Sequence, residues 1–140
     1  MNLAIVGSRS YTNEKRVRVL LQKYVERFGA NLTVVSGGCP DGGDFLAKKV
    51  ALDMGLDYKE FPPIHAKYNS YCIQPAENYG KPYNVSNFFA RNTQIAEFCD
   101  HAVGFVVEGV KANGTLDTIN KATKLGKTTL IVEDKKLDSK

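Results

Sequence analysis

Two patterns of hydrophobic and polar positions alternate along the chain. Short runs, most of them continuously apolar, are typical of strands buried within a sheet. Five such strands are predicted, at Leu3–Val6, Leu32–Ser36, Asp57–Phe61, Ala102–Val107 and Thr128–Val132. Between them, apolar residues recur at helical spacing, and glycines end several of the runs. This second pattern predicts four helices, at Asn13–Phe28, Phe45–Met54, Ser86–Cys99 and Gly114–Lys124.

The alternation of strands and helices predicts an α/β fold with three layers. Connections of this kind give about five mainly parallel strands, with helices on both faces of the sheet and right-handed crossovers. In such sheets the ligand lies beyond the carboxyl ends of the strands. We therefore expect the turns after the first, second and fourth strands to meet at one edge.

One segment, residues 62–85, follows neither pattern. It has no clean period and contains prolines, one glycine and four tyrosines, namely Tyr68, Tyr71, Tyr79 and Tyr83. A long excursion of this kind is typical of a lid or a binding loop. The tyrosines suit stacking on a base, but equally packing among themselves or a dimer contact. We predict a single domain over residues 1–140, with this excursion and a frayed, charged tail over residues 133–140.

Composition and charge narrow the function classes. The chain has 140 residues and a net charge of +4. Its basic residues are scattered, so a solvated surface explains them better than a nucleic-acid patch. No apolar run is long enough to span a bilayer and no signal peptide is recognisable, so a cytoplasmic location is expected. Cys39, Cys72 and Cys99 form no paired motif, which favours reduced thiols. His65 and His101 have no second ligand at metal spacing, so no metal and no cofactor is predicted.

Three glycine-containing turns stand at the predicted carboxyl edge. They are Gly7-Ser8-Arg9, the run Ser36-Gly37-Gly38-Cys39-Pro40-Asp41-Gly42-Gly43-Asp44, and Asn113-Gly114-Thr115. A strand that ends in glycines and opens a helix presents free backbone N–H groups at a positive helix end, where phosphate binds. The glycines also let the backbone approach a ligand closely, although a plain turn needs some of them. Three such turns in one small domain predict a nucleotide site.

The side chains at these turns have both a functional and a structural interpretation. The Arg9 guanidinium can clamp a phosphate or lie on the surface. The hydroxyls of Ser8 and Ser36 can donate to the same group or cap turns. Asp41 and Asp44 would repel phosphate but accept hydrogen bonds from ribose hydroxyls, and helix capping is the alternative for either. We therefore expect phosphate between Arg9 and the helix after the fourth strand, with ribose beside the acidic pair.

The last two predicted helices contribute the remaining candidates. Arg91 and Asn92 lie among apolar helical positions, where an arginine is expected to point along the carboxyl edge rather than into solvent. The Thr115 hydroxyl and the first N–H groups of its helix form a second phosphate cradle. Asp117, in the first turn of that helix, is either a catalytic carboxylate or one that complements the helix dipole.

The ordered set of these motifs resembles the SLOG superfamily. The matching residues are Gly7-Ser8-Arg9, Ser36-Gly37-Gly38 with Gly42-Gly43-Asp44, Arg91-Asn92 and Gly114-Thr115. The resemblance spans nearly the whole chain apart from residues 62–85. The chain is most similar to the small stand-alone proteins of the YspA type, and more distantly to LOG phosphoribohydrolases and the DNA-processing DprA proteins. The resemblance implies a Rossmann-like fold that binds nucleotides or nucleotide-derived ligands, in a homodimer or higher homo-oligomer.

The LOG enzymes of this superfamily cleave the N-glycosidic bond of a nucleoside 5′-monophosphate with an arginine and a glutamate. The resemblance places their arginine at Arg91, whereas the position of their glutamate holds Thr118, with Asp117 beside it. The Pro-Gly-Gly that precedes their Gly-Thr motif is replaced by residues 110–113 of this chain.

The candidate residues and the resemblance together rank three candidate functions. First comes binding of a nucleotide-like ligand for sensing or sequestration, with ADP-ribose-related signals as one class that SLOG domains in some defence systems recognise. The alternative is hydrolysis of a nucleoside 5′-monophosphate at its N-glycosidic bond, with Arg91, Asp44 and Asp117 as catalytic residues. Nucleic-acid binding, by analogy with DprA, ranks third.

Overall fold

The computed structural model describes residues 1–29, 31–37, 42–61 and 85–135. These ranges contain five strands, β1 (Asn2–Gly7), β2 (Thr33–Ser36), β3 (Asp57–Glu60), β4 (His101–Val107) and β5 (Thr128–Asp134). They also contain four helices, α1 (Glu14–Phe28), α2 (Gly42–Asp53), α3 (Val85–Phe98) and α4 (Asn113–Lys124).

The strands form one sheet in the order β3-β2-β1-β4-β5. Every neighbouring pair in it is parallel. Helices α1 and α2 pack on one face, and α3 and α4 pack on the other. The predicted Rossmann-like α/β sandwich is therefore confirmed. The order of strand addition reverses between β1 and β4, which makes the carboxyl ends of these two strands the switch point where such sheets bind ligands.

The first face of the sheet is covered by α1 and α2. Val17 and Leu21 of α1 and Leu46 and Val50 of α2 are buried there, together with Phe105 of β4. The i, i+4 spacing puts each helical pair on one side of its helix, and this is the side that the sequence pattern predicts. Full burial of one such side chain stabilises the fold by about 1.5–3 kcal/mol.

The second face, under α3 and α4, is packed with smaller residues. Ile95 of α3 and Ile119 of α4 are buried beside alanines of both helices. A Cβ atom at Gly104 of β4 would lie 2.9 Å from Cγ2 of Thr115, closer than ordinary contact distance. Gly104 is therefore the position that allows α4 to lie so close to the sheet.

The C-terminal end of α3 is held by a lysine from elsewhere in the chain. Lys127, which lies between α4 and β5, donates from Nζ to the carbonyl oxygens of Cys99 at 2.6 Å and Glu97 at 3.3 Å. A cation at this end satisfies carbonyl groups that have no partner within the helix and complements the helix dipole.

Two element boundaries differ from the prediction by more than one residue. β5 continues to Asp134, so residues 133 and 134 belong to the sheet rather than to the predicted tail. Glu133 and Asp134 end the apolar pattern but pair with residues 106 and 107 of β4, because pairing with a buried neighbour does not require an apolar side chain. α2 begins at Gly42 instead of Phe45, because its first turn is built from the glycines that the pattern assigned to the preceding turn.

Several predicted features lie outside the described residues. They include the four tyrosines of the excursion, Cys39, Cys72, His65 and residues 136–140 of the predicted tail. Cys99 is buried as a free thiol. Among the helices that the structure describes, none combines the length and the apolar character that crossing a membrane requires.

Asp134 joins the end of β5 to the beginning of α1. Its carboxylate accepts hydrogen bonds from the Tyr11 hydroxyl at 2.8 Å, from Asn13 Nδ2 at 2.8 Å and from Arg16 Nη1 at 2.6 Å. Burial disfavours the charged form, but the three hydrogen bonds outweigh it and hold the pKa of Asp134 below its usual range. This cluster, the Asp134 clamp, holds the connection between β1 and α1 against the edge strand.

We expect Asp134→Asn to lower the free energy of unfolding by about 1–3 kcal/mol at pH 7, because three donors lose their charged acceptor. A carboxylate whose pKa is lowered in the folded state stabilises above its unfolded pKa, and this contribution is lost as pH falls through the folded pKa. The difference between wild type and variant should therefore shrink below about pH 4. Urea unfolding of wild type and variant at pH 7 and at pH 3 measures this difference in stability.

The matched control is Glu133→Gln, which removes a carboxylate from the exposed neighbouring position and should change stability little. A difference between Asp134→Asn and wild type that stays constant from pH 7 to pH 3 would contradict the role assigned to the charge.

Candidate functional site

The end of β1 and the start of α2 are in direct backbone contact. A Cβ atom at Gly43 would lie 2.5 Å from the Cα of Gly7, and one at Gly7 would lie 2.6 Å from the Cα of Gly43. The Gly43 N–H donates to the Ser8 carbonyl at 3.1 Å. Only glycine fits at either position, so these two predicted ligand-binding residues are needed first for the packing of helix on strand.

Asp44 follows Gly43 in the first turn of α2 and turns back toward β1. Its Oδ1 accepts a hydrogen bond from the Gly7 N–H at 3.2 Å, and the residue is 6% exposed. A carboxylate near a helix N-terminus is also stabilised by the helix dipole. The structure thus places a buried acidic group at the carboxyl end of β1.

Arg91 of α3 reaches the carboxyl ends of two other strands. Its Nη1 donates to the carbonyl of Gly37, directly after β2, at 2.7 Å and to that of Phe61, directly after β3, at 3.4 Å. A Cβ atom at Gly37 would overlap the guanidinium and would lie 2.8 Å from Oδ2 of Asp44. The predicted direction of Arg91, along the carboxyl edge, is the one observed, and it brings a cation and a buried carboxylate to the same glycine.

Asn92 connects this cluster to α4. Its Oδ1 accepts from Nε of Arg91 at 2.9 Å. Its Nδ2 donates to the Gly114 carbonyl at 3.3 Å and to Oδ2 of Asp117 at 3.2 Å. Asn92 is 3% exposed, so this is a buried bridge between two helices. We call the set of Asp44, Arg91 and Asn92 the edge network.

Asp117 also forms an ion pair within its own helix. Its Oδ2 lies 2.9 Å from Nζ of Lys121, one turn along α4. Because α4 begins at Asn113, no acidic residue lies in its first turn, and the predicted first-turn position of Asp117 is wrong. The carboxylate is instead held as the partner of two donors, Asn92 and Lys121.

The N-terminus of α4 is open on its outer side. Its N-cap residue is Ala112, whose side chain has no atom that can accept from the first N–H groups. A Cβ atom at Gly114 would meet nothing within 4 Å, and Gly114 and Asn113 are both exposed. Thr115 instead turns inward and is 6% exposed. This is the one turn among the three where the described structure leaves room for a group beside a glycine.

A chain of three polar residues at the ends of β2 and β3 was not predicted. The Tyr58 hydroxyl lies 2.6 Å from Oγ of Ser36 and donates to Oε1 of Glu60 at 3.1 Å. Burial is the main cause that raises the pKa of Tyr58, and the nearby charges of Glu60 and Asp44 add to it. The period of two along β3 puts Tyr58 and Glu60 on one side of the strand, so sequence alone offered a weak signal for the pair.

The remaining predicted residues are placed differently. Ser8 is nearly buried, and its Oγ lies 3.0 Å from Oγ of Ser10, as in a turn-capping role. Arg9 is exposed in the β1–α1 connection, where its backbone lies against Gly42. Gly38 and Asp41 lie outside the described residues. The structure therefore joins Gly7, Gly37, Gly43, Asp44, Arg91, Asn92, Gly114 and Asp117 in one connected set.

Comparisons with known proteins leave the family open. No protein-family model and no curated protein matches the chain. Among solved structures, phenylacrylic acid decarboxylase from Aquifex aeolicus aligns with 94% of this chain over 80% of its own length, at 14% identity and a TM-score of 0.33. A likeness this weak carries no argument about function. The resemblance to the SLOG superfamily stays a prediction.

We expect Gly43→Ala to destabilise the fold strongly, by about 2–4 kcal/mol, because the new methyl group would force α2 away from β1. Gly114→Ala should keep or raise the stability, since its added methyl meets open space in a helix and alanine is the better helix former. Thermal unfolding of both variants beside wild type tests the pair, and equal melting temperatures for the two variants would contradict the close contact.

Proposed function

We propose that this protein binds a nucleotide or nucleotide-derived ligand, such as an ADP-ribose-like signal or a nucleoside phosphate, at the carboxyl edge of its sheet, for sensing or sequestration. The observation that carries the proposal is the open N-terminus of α4 at Gly114, joined through Asn92 to the half-buried Arg91, which meets the buried Asp44 at Gly37. Backbone N–H groups that can bind an anion and a carboxylate that can accept hydrogen bonds from hydroxyls are therefore connected at one switch point.

The phosphate end of such a ligand fits the first turn of α4. Backbone N–H groups without a side-chain cap at the positive end of a helix bind phosphate through hydrogen bonds and through the dipole. Gly114 lets the phosphate oxygens approach that backbone, because no side chain stands in the way.

The sugar end fits the carboxylate of Asp44. A carboxylate at the carboxyl edge accepts hydrogen bonds from ribose hydroxyls. The Arg91 guanidinium beside Gly37 keeps the local charge balanced, so that a phosphate is not repelled by an isolated buried anion.

The same contacts favour binding over hydrolysis. Thr118, at the position of the LOG glutamate, is 1% exposed and donates back to the Gly114 carbonyl at 3.2 Å within its own helix. Asp117 is held by Lys121 and Asn92. Neither residue supplies the unengaged carboxylate that would stabilise an oxocarbenium-like transition state.

Titration calorimetry with AMP, ADP-ribose, adenosine and inorganic phosphate tests the proposal. We expect at least one phosphate-bearing nucleotide to bind with a dissociation constant below about 1 mM, and adenosine to bind more weakly because it cannot use the α4 N-terminus. Each mixture is then examined by chromatography. Released base with ribose 5-phosphate would establish hydrolysis and replace the binding function, and absence of binding by every probe would refute both.

Two variants locate the site. Gly114→Ala should weaken nucleotide binding by about tenfold or more, because the methyl group excludes a phosphate from the helix end. Asp44→Asn should weaken the binding of nucleotides but leave the binding of inorganic phosphate unchanged. The control is Asn120→Ala, an exposed change to alanine on the same helix, which should bind like wild type. Unchanged affinity in Gly114→Ala would place the ligand elsewhere.

A further inference from the structure

One asparagine of the chain is followed by a glycine, and it lies at the first position of α4. It is Asn113, and no other asparagine in the sequence precedes a glycine. Asn113 and Gly114 are both exposed, and a Cβ atom at Gly114 would meet nothing within 4 Å. In such a pair the side-chain amide reacts most readily with the backbone, because glycine has no Cβ to obstruct the approach of its nitrogen.

The backbone nitrogen of Gly114 is not held by the helix. The first backbone bond of α4 runs from the Leu116 N–H to the Ala112 carbonyl at 2.9 Å, so the N–H of Gly114, two residues earlier, has no acceptor within the helix. The side chain of Ala112, the N-cap residue, offers no acceptor either. The atom that attacks in deamidation therefore has no helical hydrogen bond to lose.

The carbonyl of Gly114, in contrast, is fixed. It accepts hydrogen bonds from Nδ2 of Asn92 at 3.3 Å and from Oγ1 of Thr118 at 3.2 Å, and Thr115 beyond it is 6% exposed. The ends of helices fray at a low cost in free energy. A rotation at Asn113 alone therefore brings its side chain to the Gly114 nitrogen while the rest of α4 stays in place.

Deamidation at this pair needs only water. The Gly114 nitrogen loses its proton to hydroxide and attacks Cγ of Asn113, so that a C–N bond forms, the bond from Cγ to Nδ2 breaks, and ammonia leaves after taking a proton from water. Water then opens the resulting five-membered succinimide ring at either of its two carbonyl groups. One opening gives aspartate at position 113, and the other gives isoaspartate, whose backbone runs through the side-chain carbon.

Either product places a carboxylate where α4 has none. The first turn of α4 contains no acidic residue. A carboxylate at this position complements the helix dipole, but it also repels a phosphate from the same N–H groups. The modification is therefore expected to maintain or raise the stability of the helix and to weaken its binding of anions.

We propose that Asn113 is a deamidation site, and that its conversion ends the ability of the α4 N-terminus to bind phosphate. The consequence for binding rests on the proposed function, whereas the reaction itself does not. Deamidation is irreversible in water, so the lifetime of Asn113 limits how long a molecule of this protein holds a phosphate-bearing ligand.

Peptide mass spectrometry of the full chain, stored folded at mildly alkaline pH, tests the reaction. We expect the peptide with Asn113 to gain the mass that replacement of NH₂ by OH brings. The matched residue is Asn120, which is exposed on the same helix but precedes Lys121, and it should stay intact. Gly114→Ala should slow the conversion by about tenfold or more, because the methyl group obstructs the attack. Circular dichroism checks that the protein stays folded during storage.

Titration calorimetry with AMP and with inorganic phosphate tests the consequence. Asn113→Asp should weaken the binding of both probes by about tenfold, because the new carboxylate repels phosphate. Its melting temperature should equal or exceed that of wild type, which separates lost binding from lost structure. Asn120→Asp is the matched control, since it adds the same charge about two turns further along α4, and it should bind like wild type.

The outcomes separate this inference from the proposed function. An Asn113 that stays intact in the folded protein overturns the modification site, and its conversion in urea would then show that the helix protects it. Equal affinities of Asn113→Asp and wild type for both probes overturn the consequence for binding. A wild type that binds neither probe counts against the proposed function, while the mass spectrum still decides whether Asn113 is converted.

Discussion

The contact between the backbones of Gly7 and Gly43 is the constraint on which the rest of the structure depends. It brings the first turn of α2 onto the end of the central strand, at a separation that no side chain permits. The Asp44 carboxylate can reach the Gly7 N–H only because the helix lies this close. The position of the acidic member of the edge network therefore depends on the absence of two Cβ atoms.

Arg91 and Asn92 of the edge network connect α3 to three other elements. Arg91 contacts the ends of β2 and β3, and Asn92 contacts the first turn of α4. Two consecutive residues of α3 thus reach toward opposite sides of the switch point. Buried polar groups of this kind are costly unless every member has a partner, so the network also specifies how α3 lies relative to the strands.

The sequence was sufficient for the fold because buried parallel strands leave nearly continuous apolar runs and the helices between them have an apolar side. It was also sufficient to identify Arg91 and Asp44 as candidates, since both are charged residues at turns or among apolar positions. It did not reveal that Gly7 and Gly43 touch each other, or that Tyr58 joins Ser36 to Glu60, because these contacts join residues that are distant in sequence. The end of β5 was missed because its last residues are polar, and their pairing depends on β4.

The bond from Lys127 to the end of α3 has a mechanical consequence. Together with Arg91 and Asn92 it holds this helix at two places along its length, from the two opposite halves of the sheet. A slip of α3 by one residue, about 1.5 Å along its axis, would break the hydrogen bonds at both places at once. α3 therefore acts as a rigid connection between the two halves of the sheet, and its position cannot change on one side without breaking hydrogen bonds on the other.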